Sequence, residues 1–122
     1  MTAQWVQQLS QFSGTENYYR IMPNVLITDG AKFVADNGEA YWLMTTIASY
    51  LPEFTEKETF IVATLQVTRT ATSSHAILKL DDGNDNILAE QFIEYTDFEL
   101  DEIKLYACYN GDMWVIMIPR EY

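Results

Sequence analysis

Cysteine and histidine are almost absent from this chain of 122 residues, which contains one of each, Cys108 and His75. A single cysteine excludes an intramolecular disulfide and any zinc site built on several cysteines. A single histidine excludes a metal centre built on several histidines. The lone thiol suits a reducing compartment, and residues 1–12 lack the basic and apolar regions of a signal peptide. We therefore expect a cytoplasmic protein without a metal or other cofactor.

Basic residues are also scarce. Seven Lys and Arg residues stand against 18 Asp and Glu residues, which gives a net charge of −11. Such a charge repels nucleic acid and anionic membranes, and it favours either simple solubility or a basic partner. The five glycines are scattered and form no phosphate-binding loop. No apolar run is long enough to span a membrane.

Apolar and aromatic residues are plentiful, at 48% and 14% of the chain. A chain of this length and composition buries enough surface to fold without disulfides or metals. Its length also leaves no room for a second domain. We therefore expect one domain over residues 1–122.

Helical spacing dominates the N-terminal half of the sequence. The predicted elements are a helix at 2–12, extended segments at 17–21 and 25–28, and helices at 31–36 and 39–51. Thr28 or Asp29 is the expected N-cap of the helix at 31–36, because short polar side chains accept hydrogen bonds from the first helical N–H groups. Pro52 is expected to end the last helix.

From residue 59 onward the apolar period changes from 3.6 to 2, which is typical of strands. The predicted strands are 59–68, 75–80, 87–95, 103–109 and 112–118. The sequence therefore predicts an α+β fold, with N-terminal helices packed on one face of a roughly five-stranded antiparallel meander sheet.

Turn signals predict the register of two hairpins. A two-residue loop at Asn110-Gly111 places Leu105 opposite Ile116, and Ala107 opposite Trp114. A turn centred on Gly83-Asn84 places Leu80 opposite Ile87. The other face of these strands carries Tyr106, Cys108 and Met117 among charges, and a fully solvated face would be more polar. Either the N-terminal segment or a second copy should cover it, and we favour a homodimer.

An acidic stretch is the densest feature of the sequence. Nine acids and no Lys or Arg lie between Leu80 and Ile103: Asp81, Asp82, Asp85, Glu90, Glu94, Asp97, Glu99, Asp101 and Glu102. One interpretation is a solvated turn and strand edge. The other is a surface that binds a basic partner, or that imitates nucleic acid by presenting carboxylates where phosphates are expected. A calcium loop of the EF-hand type is excluded, because apolar residues fall at its ligand positions.

Three residues of the N-terminal half are candidates for a pocket at the edge between helices and sheet: Asp29, Tyr41 and Trp42. Carboxylates and tyrosines can transfer protons, so a small hydrolase is the alternative to a binding module. A convergence of Asp29 and Tyr41 with an acid from 97–102 in one cleft would favour the enzyme. His75 is interpreted as a surface residue across from Phe92, and Cys108 as a small hydrophobe rather than a nucleophile.

Several segments together resemble a known family. They are Phe12-Ser13-Gly14-Thr15-Glu16-Asn17-Tyr18-Tyr19-Arg20, Thr28-Asp29-Gly30-Ala31-Lys32-Phe33-Val34-Ala35, Ala40-Tyr41-Trp42-Leu43, Ile47-Ala48-Ser49-Tyr50, Tyr95-Thr96-Asp97-Phe98, Leu100-Asp101-Glu102-Ile103-Lys104-Leu105-Tyr106 and Pro119-Arg120-Glu121-Tyr122. The sequence resembles the uncharacterised bacterial family numbered 6876 among domains of unknown function. The resemblance implies a bacterial single-domain protein, and it implies no activity, catalytic residue or cofactor.

The leading functional hypothesis is therefore a non-enzymatic interaction module. Its acidic stretch would bind a basic protein, and it would contact neither nucleic acid nor membrane directly.

Overall fold

The computed structural model describes residues 4–122 and contains two α-helices and seven strands. The helices are α1 (Asp29–Asn37) and α2 (Tyr41–Tyr50). The strands are β1 (Tyr18–Met22), β2 (Val25–Thr28), β3 (Phe60–Arg69), β4 (Ser74–Asp81), β5 (Ile87–Ile93), β6 (Glu102–Tyr109) and β7 (Trp114–Met117). Short 3₁₀ helices occupy Gln4–Gln11, Leu51–Phe54 and Pro119–Glu121. Among the described residues, no helix is long and apolar enough to cross a membrane.

The seven strands form one mixed sheet in the order β1-β2-β7-β6-β3-β4-β5. The α+β class is confirmed, but the five-stranded antiparallel meander is inexact. β1 and β2 join the same sheet, and β2 pairs in parallel with β7. The meander is broken after β5, because β6 returns to pair with β3 instead of β5. Sequence alternation identifies strands but does not choose neighbours that are distant along the chain.

The predicted placement of helices ahead of the sheet is not supported. Both α-helices follow β1 and β2 in the chain, and the first segment is a 3₁₀ helix that buries Trp5. Residues 2 and 3 of the helix predicted at 2–12 lie outside the described residues. Thr28 does cap α1, because its hydroxyl oxygen accepts a hydrogen bond from the N–H of Ala31 at 3.2 Å.

The apolar stripes of both helices share one core with the inner side chains of the strands. Val34, Leu43 and Ile47 are fully buried, as are Ile61 and Ile116. One face of each strand therefore points toward α1 and α2. We call the opposite side of the sheet the open face.

Both predicted hairpin registers are wrong by two residues. Ala107 pairs with Ile116, because the loop between β6 and β7 has four residues. The side chain of Asn110 accepts hydrogen bonds from the N–H groups of Asp112 and Met113, which closes this longer turn. Leu80 likewise pairs with Ala89. A shift by two keeps the paired side chains of β6 and β7 on their predicted faces. Ile87 is the exception in the other hairpin, because an irregularity in the register pairs it with Asp81 and leaves it 54% exposed.

Candidate binding cleft

The connection between β5 and β6, residues 94–101, passes over the end of the β3–β4 hairpin. This crossing encloses a cleft of about 630 Å³, which lies within the size range of small-ligand sites. Its walls come from the end of β3 and the start of β4, from the connection itself, and from Gln4. The cleft therefore exists because β6 returns to β3.

Backbone and side-chain hydrogen bonds fix this connection to the hairpin. The N–H of Thr96 donates to the carbonyl of Ser74 at 3.0 Å, and the N–H of Val67 donates to the carbonyl of Asp101 at 2.8 Å. The Arg69 guanidinium forms an ion pair with Asp101 and donates to the carbonyl of Phe98 at 2.6 Å. The cleft walls are thus held at both ends of the connection.

Phe98 anchors the middle of the connection in the core. Its side chain is 1% exposed, and its ring centroid lies 6.4 Å from that of Trp5. A Cβ placed on Gly38 would lie 2.9 Å from the Phe98 ring, so only glycine fits beneath it. One buried aromatic side chain therefore allows an acidic segment to cross the sheet in a fixed position.

The charged side chains that line the cleft are mainly acidic. Asp97, Glu99 and Asp101 face a single basic residue, Arg69. Asp101 is paired with that arginine, and the Glu99 carboxylate accepts a hydrogen bond from the indole N–H of Trp5 at 3.1 Å. Asp97 is exposed and forms no ion pair with any residue in the described part of the chain. The adjacent side chain of Tyr95 is 70% exposed at the rim. The cleft thus presents negative charge beside an accessible aromatic ring.

The nine predicted partner-binding acids do not form one continuous surface. Glu94, Asp97, Glu99 and Asp101 lie in the connection around the cleft, and Asp81, Asp82 and Asp85 lie at the opposite end of β4. These two groups are separated by roughly 20 Å, the length of β5. Glu90 and Glu102 project from the open face, since they pair with Lys79 and Gln66.

The β4–β5 turn uses its acids internally. The Asp81 carboxylate accepts a hydrogen bond from the N–H of Gly83 at 2.7 Å. Asp82 accepts hydrogen bonds from the Asn86 side chain and from the N–H of Asn84, each at 2.8 Å, and these hold the pKa of Asp82 below its usual range. These acids therefore have a structural role in shaping the turn.

Asp29, Tyr41 and Trp42 do not converge with the cleft. The Asp29 carboxylate accepts hydrogen bonds from the N–H groups of Glu16 and Asn17 and, at 2.9 Å, from the Tyr19 hydroxyl. The N–H of Glu16 is the main reason that the pKa of Asp29 lies below its usual range. Trp42 is half-buried and packs against the core. These contacts fold residues 15–19 around the start of α1.

Tyr41, the first residue of α2, joins an exposed network with Lys32 and Asp36 of α1. Its hydroxyl donates to Asp36 at 2.6 Å, and Lys32 forms an ion pair with the same carboxylate at 2.8 Å. Lys32 is the main reason for the lowered pKa of Asp36, and the hydrogen bond to Asp36 raises the pKa of Tyr41. Both shifts move the groups away from neutral pH, which is opposite to the tuning expected of a general acid or base.

Glu121 is a structural residue that sequence reasoning missed. One carboxylate oxygen accepts hydrogen bonds from the Thr28 hydroxyl at 2.5 Å and from the N–H of Ile118 at 3.1 Å, and the other accepts from the N–H of Gly30 at 2.9 Å. The segments Thr28-Asp29-Gly30 and Pro119-Arg120-Glu121-Tyr122 are therefore one structural unit. Their pairing was not predictable, because they are about 90 residues apart.

A second and smaller cleft of about 220 Å³ lies between the β1–β2 turn and the end of α2. It is lined mainly by apolar side chains, with Trp114 at its base and Asp112 at its edge. Its size is below the range typical of ligand sites.

The two rare side chains lie apart from both clefts. The prediction that His75 stands across from Phe92 is wrong by two residues, because Phe92 pairs with Ile77. The His75 ring still packs 5.4 Å from the Phe92 ring. Cys108 is half-buried on the open face, and burial raises the pKa of its thiol, as expected of a small hydrophobe. Within residues 4–122, no three His, Cys, Asp or Glu side chains are grouped as metal ligands.

Comparison with known proteins gives one result. No curated protein and no solved structure matches the chain significantly. The profile of one family matches residues 3–122, which is nearly the whole chain. The chain therefore belongs to the family of unknown function DUF6876.

Proposed function

We propose that this protein is a cytoplasmic interaction module whose acidic cleft binds a basic segment of a partner protein. The observation that carries the proposal is the charge of the cleft lining, in which three carboxylates face one arginine. That arginine is already engaged by Asp101 and by the carbonyl of Phe98. A lysine or arginine side chain entering the cleft would meet the exposed Asp97 and could stack on Tyr95.

The split of the acidic stretch supports a discrete site rather than imitation of nucleic acid. A mimic needs a row of carboxylates that follows the spacing of phosphates. Here Asp81 and Asp82 accept hydrogen bonds from backbone N–H groups of their own turn, which lies at the other end of β4 from the cleft. Asp97, Glu99 and Asp101 are exposed and are grouped around one cleft.

The hydrolase alternative receives less support from the geometry. Asp29 and Tyr41 line neither of the two clefts described above. The hydroxyls of Tyr19 and Tyr41 are each bound to a carboxylate, and in both cases this bond raises the tyrosine pKa.

The test is binding of a fluorescent lysine-rich peptide to the full chain, measured by anisotropy over a range of salt concentrations. The double variant Asp97→Asn/Glu99→Gln keeps side-chain shape and removes two cleft charges. Glu53→Gln/Glu56→Gln removes two exposed charges elsewhere and is the matched control. Two charge contacts of about 0.5–1 kcal/mol each predict a loss of affinity of roughly tenfold for the cleft variant.

The control should change affinity less than twofold. An equal loss of affinity in both variants would show that peptide binding depends only on the net charge of the protein, and this would overturn the proposal. An absence of binding to the wild type would overturn it as well. A pull-down from bacterial lysate with the same three proteins then identifies the partner. The proposal requires a basic protein that the wild type and the control retain and that the cleft variant loses.

A further inference from the structure

The open face carries an aromatic cluster on the side of the sheet without helices. The ring centroid of Phe60 lies 4.9 Å from that of Tyr106 and 5.1 Å from that of Tyr122, and the latter two are 5.6 Å apart. Phe92 is 58% exposed on the same face, and Ile77 is its cross-strand neighbour. Sheet faces that meet only water are usually polar, so this face has the composition of an interface.

The charge of the open face differs from that of the rest of the molecule. Strand register places three basic and three acidic side chains on it: Arg20, Lys79, Lys104, Asp81, Glu90 and Glu102. The face therefore has no net charge. The other four basic and 15 acidic residues of the chain lie elsewhere and account for the whole net charge of −11.

We propose that the open face joins two copies of this chain around a two-fold axis. Copies that each carry a charge of −11 repel one another over most of their surface. The open face is the side on which this repulsion is absent and apolar side chains are available. A two-fold interface brings a surface against itself, so a face with both signs of charge can pair its lysines with its own acids.

The size of the open face is sufficient for such an interface. The seven strands contain 4 to 10 residues each. With a spacing of about 4.8 Å between strands and about 3.4 Å per residue, they cover roughly 750 Å² in projection. A standard stable interface buries about 800 Å² of accessible surface per partner. The accessible area of a sheet face exceeds its projected area because side chains protrude from it, so the open face is large enough.

The dimer and the acidic cleft are separate proposals. The cleft lies at the end of the β3–β4 hairpin, so pairing through the open face would leave both clefts accessible. Either proposal can fail without the other, because the tests change different residues.

The experiment is sedimentation equilibrium of the full chain at several protein concentrations, with Val62→Lys as the disruptive variant. Val62 lies at the centre of the open face and pairs with Asp81. A lysine there gains an acidic neighbour in the monomer, but it would place a buried cation in the dimer. Thr45→Lys adds the same charge on the exposed side of α2 and is the matched control.

We expect a wild-type mass of twice 14.1 kDa at micromolar concentrations, with the control unchanged. We expect Val62→Lys to raise the dissociation constant at least tenfold. Raising the salt concentration should strengthen the wild-type dimer, because salt screens the repulsion between the two negative bodies.

A wild-type chain that remains monomeric at 0.5 M salt and about 100 μM, far above a micromolar dissociation constant, would overturn the proposal. A folded Val62→Lys variant that dimerises like the control would do the same. Where circular dichroism shows that this variant is unfolded, Phe92→Lys replaces it, because that side chain is already largely exposed. An unchanged dissociation constant for Phe92→Lys would then count against the interface.

Discussion

Removal of the Glu121 carboxylate should destabilise the protein strongly, although the residue lies next to the last position of the sequence. The carboxylate accepts three hydrogen bonds, from the Thr28 hydroxyl and from the N–H groups of Gly30 and Ile118. It also lies at the N-terminus of α1, where negative charge is favourable. In Glu121→Ala, Thr28 and Gly30 keep buried donors without their acceptor.

The expected magnitude follows from these contacts. A hydrogen bond to a charged group contributes about 1.5–3 kcal/mol, and water can replace part of this at a half-buried site. We therefore expect a loss of about 2–4 kcal/mol in the free energy of unfolding. With an unfolding entropy of about 2.1 cal/mol/K per residue, 1 kcal/mol corresponds to about 4 °C in a chain of 122 residues. The melting temperature should fall by about 8–16 °C.

The assay is thermal and urea unfolding followed by circular dichroism, with Glu56→Ala as the control. Glu56 is exposed, so its replacement makes the same change in net charge and should cost less than about 0.5 kcal/mol. Thr28→Val should be measured alone and in combination with Glu121→Ala. The two changes should show a coupling energy of about 1 kcal/mol, because both remove the hydrogen bond between Thr28 and Glu121. A Glu121→Ala variant that melts within 2 °C of the control, which is about 0.5 kcal/mol, would refute the reasoning.

Three further outcomes follow from the structure. Gly38→Ala should lower the free energy of unfolding by about 1–3 kcal/mol, because the added Cβ would lie 2.9 Å from the Phe98 ring. Gly14→Ala is the control: a Cβ there has nothing within 4 Å, so its urea unfolding should be nearly unchanged. Asp29 has a lowered folded pKa, so its contribution to stability is present above the unfolded pKa of about 3.9 and is lost as the pH falls through the folded value. The urea midpoints of wild type and Asp29→Asn should therefore converge as the pH falls through the folded pKa. Cys108, whose thiol pKa is raised by burial, should react with a disulfide reagent about tenfold more slowly at pH 7.5 in the native protein than in urea, and equal rates would contradict that burial.

Sequence patterns were most informative where they depend on neighbours along the chain. The strands at 59–68 and 103–109 were predicted from period-two alternation and correspond to β3 and β6. The cap at Thr28 followed from its side-chain chemistry. Hairpin register was wrong by two residues, because the Asn110 side chain closes a longer turn than the Asn-Gly pair alone predicts.

The candidate site was predicted only in part. Asp97, Glu99 and Asp101 were named for their charge, and the structure places all three in the cleft. Asp29 and Tyr41 were named for their chemistry, but their oxygens are used in contacts that shape α1 and the segment before it. The role of Glu121 depends on a contact across about 90 residues, which no local pattern indicates.

The sequence by itself determined the α+β class, the core faces of the strands, the excess of acidic charge and the family, because these depend on composition and local periodicity. Only the tertiary structure decided that β2 pairs with β7 and that β6 returns to β3. That return places the 94–101 connection over the β3–β4 hairpin and separates the acids into groups. Such long-range pairings are selected by the fit of the whole core rather than by any single segment.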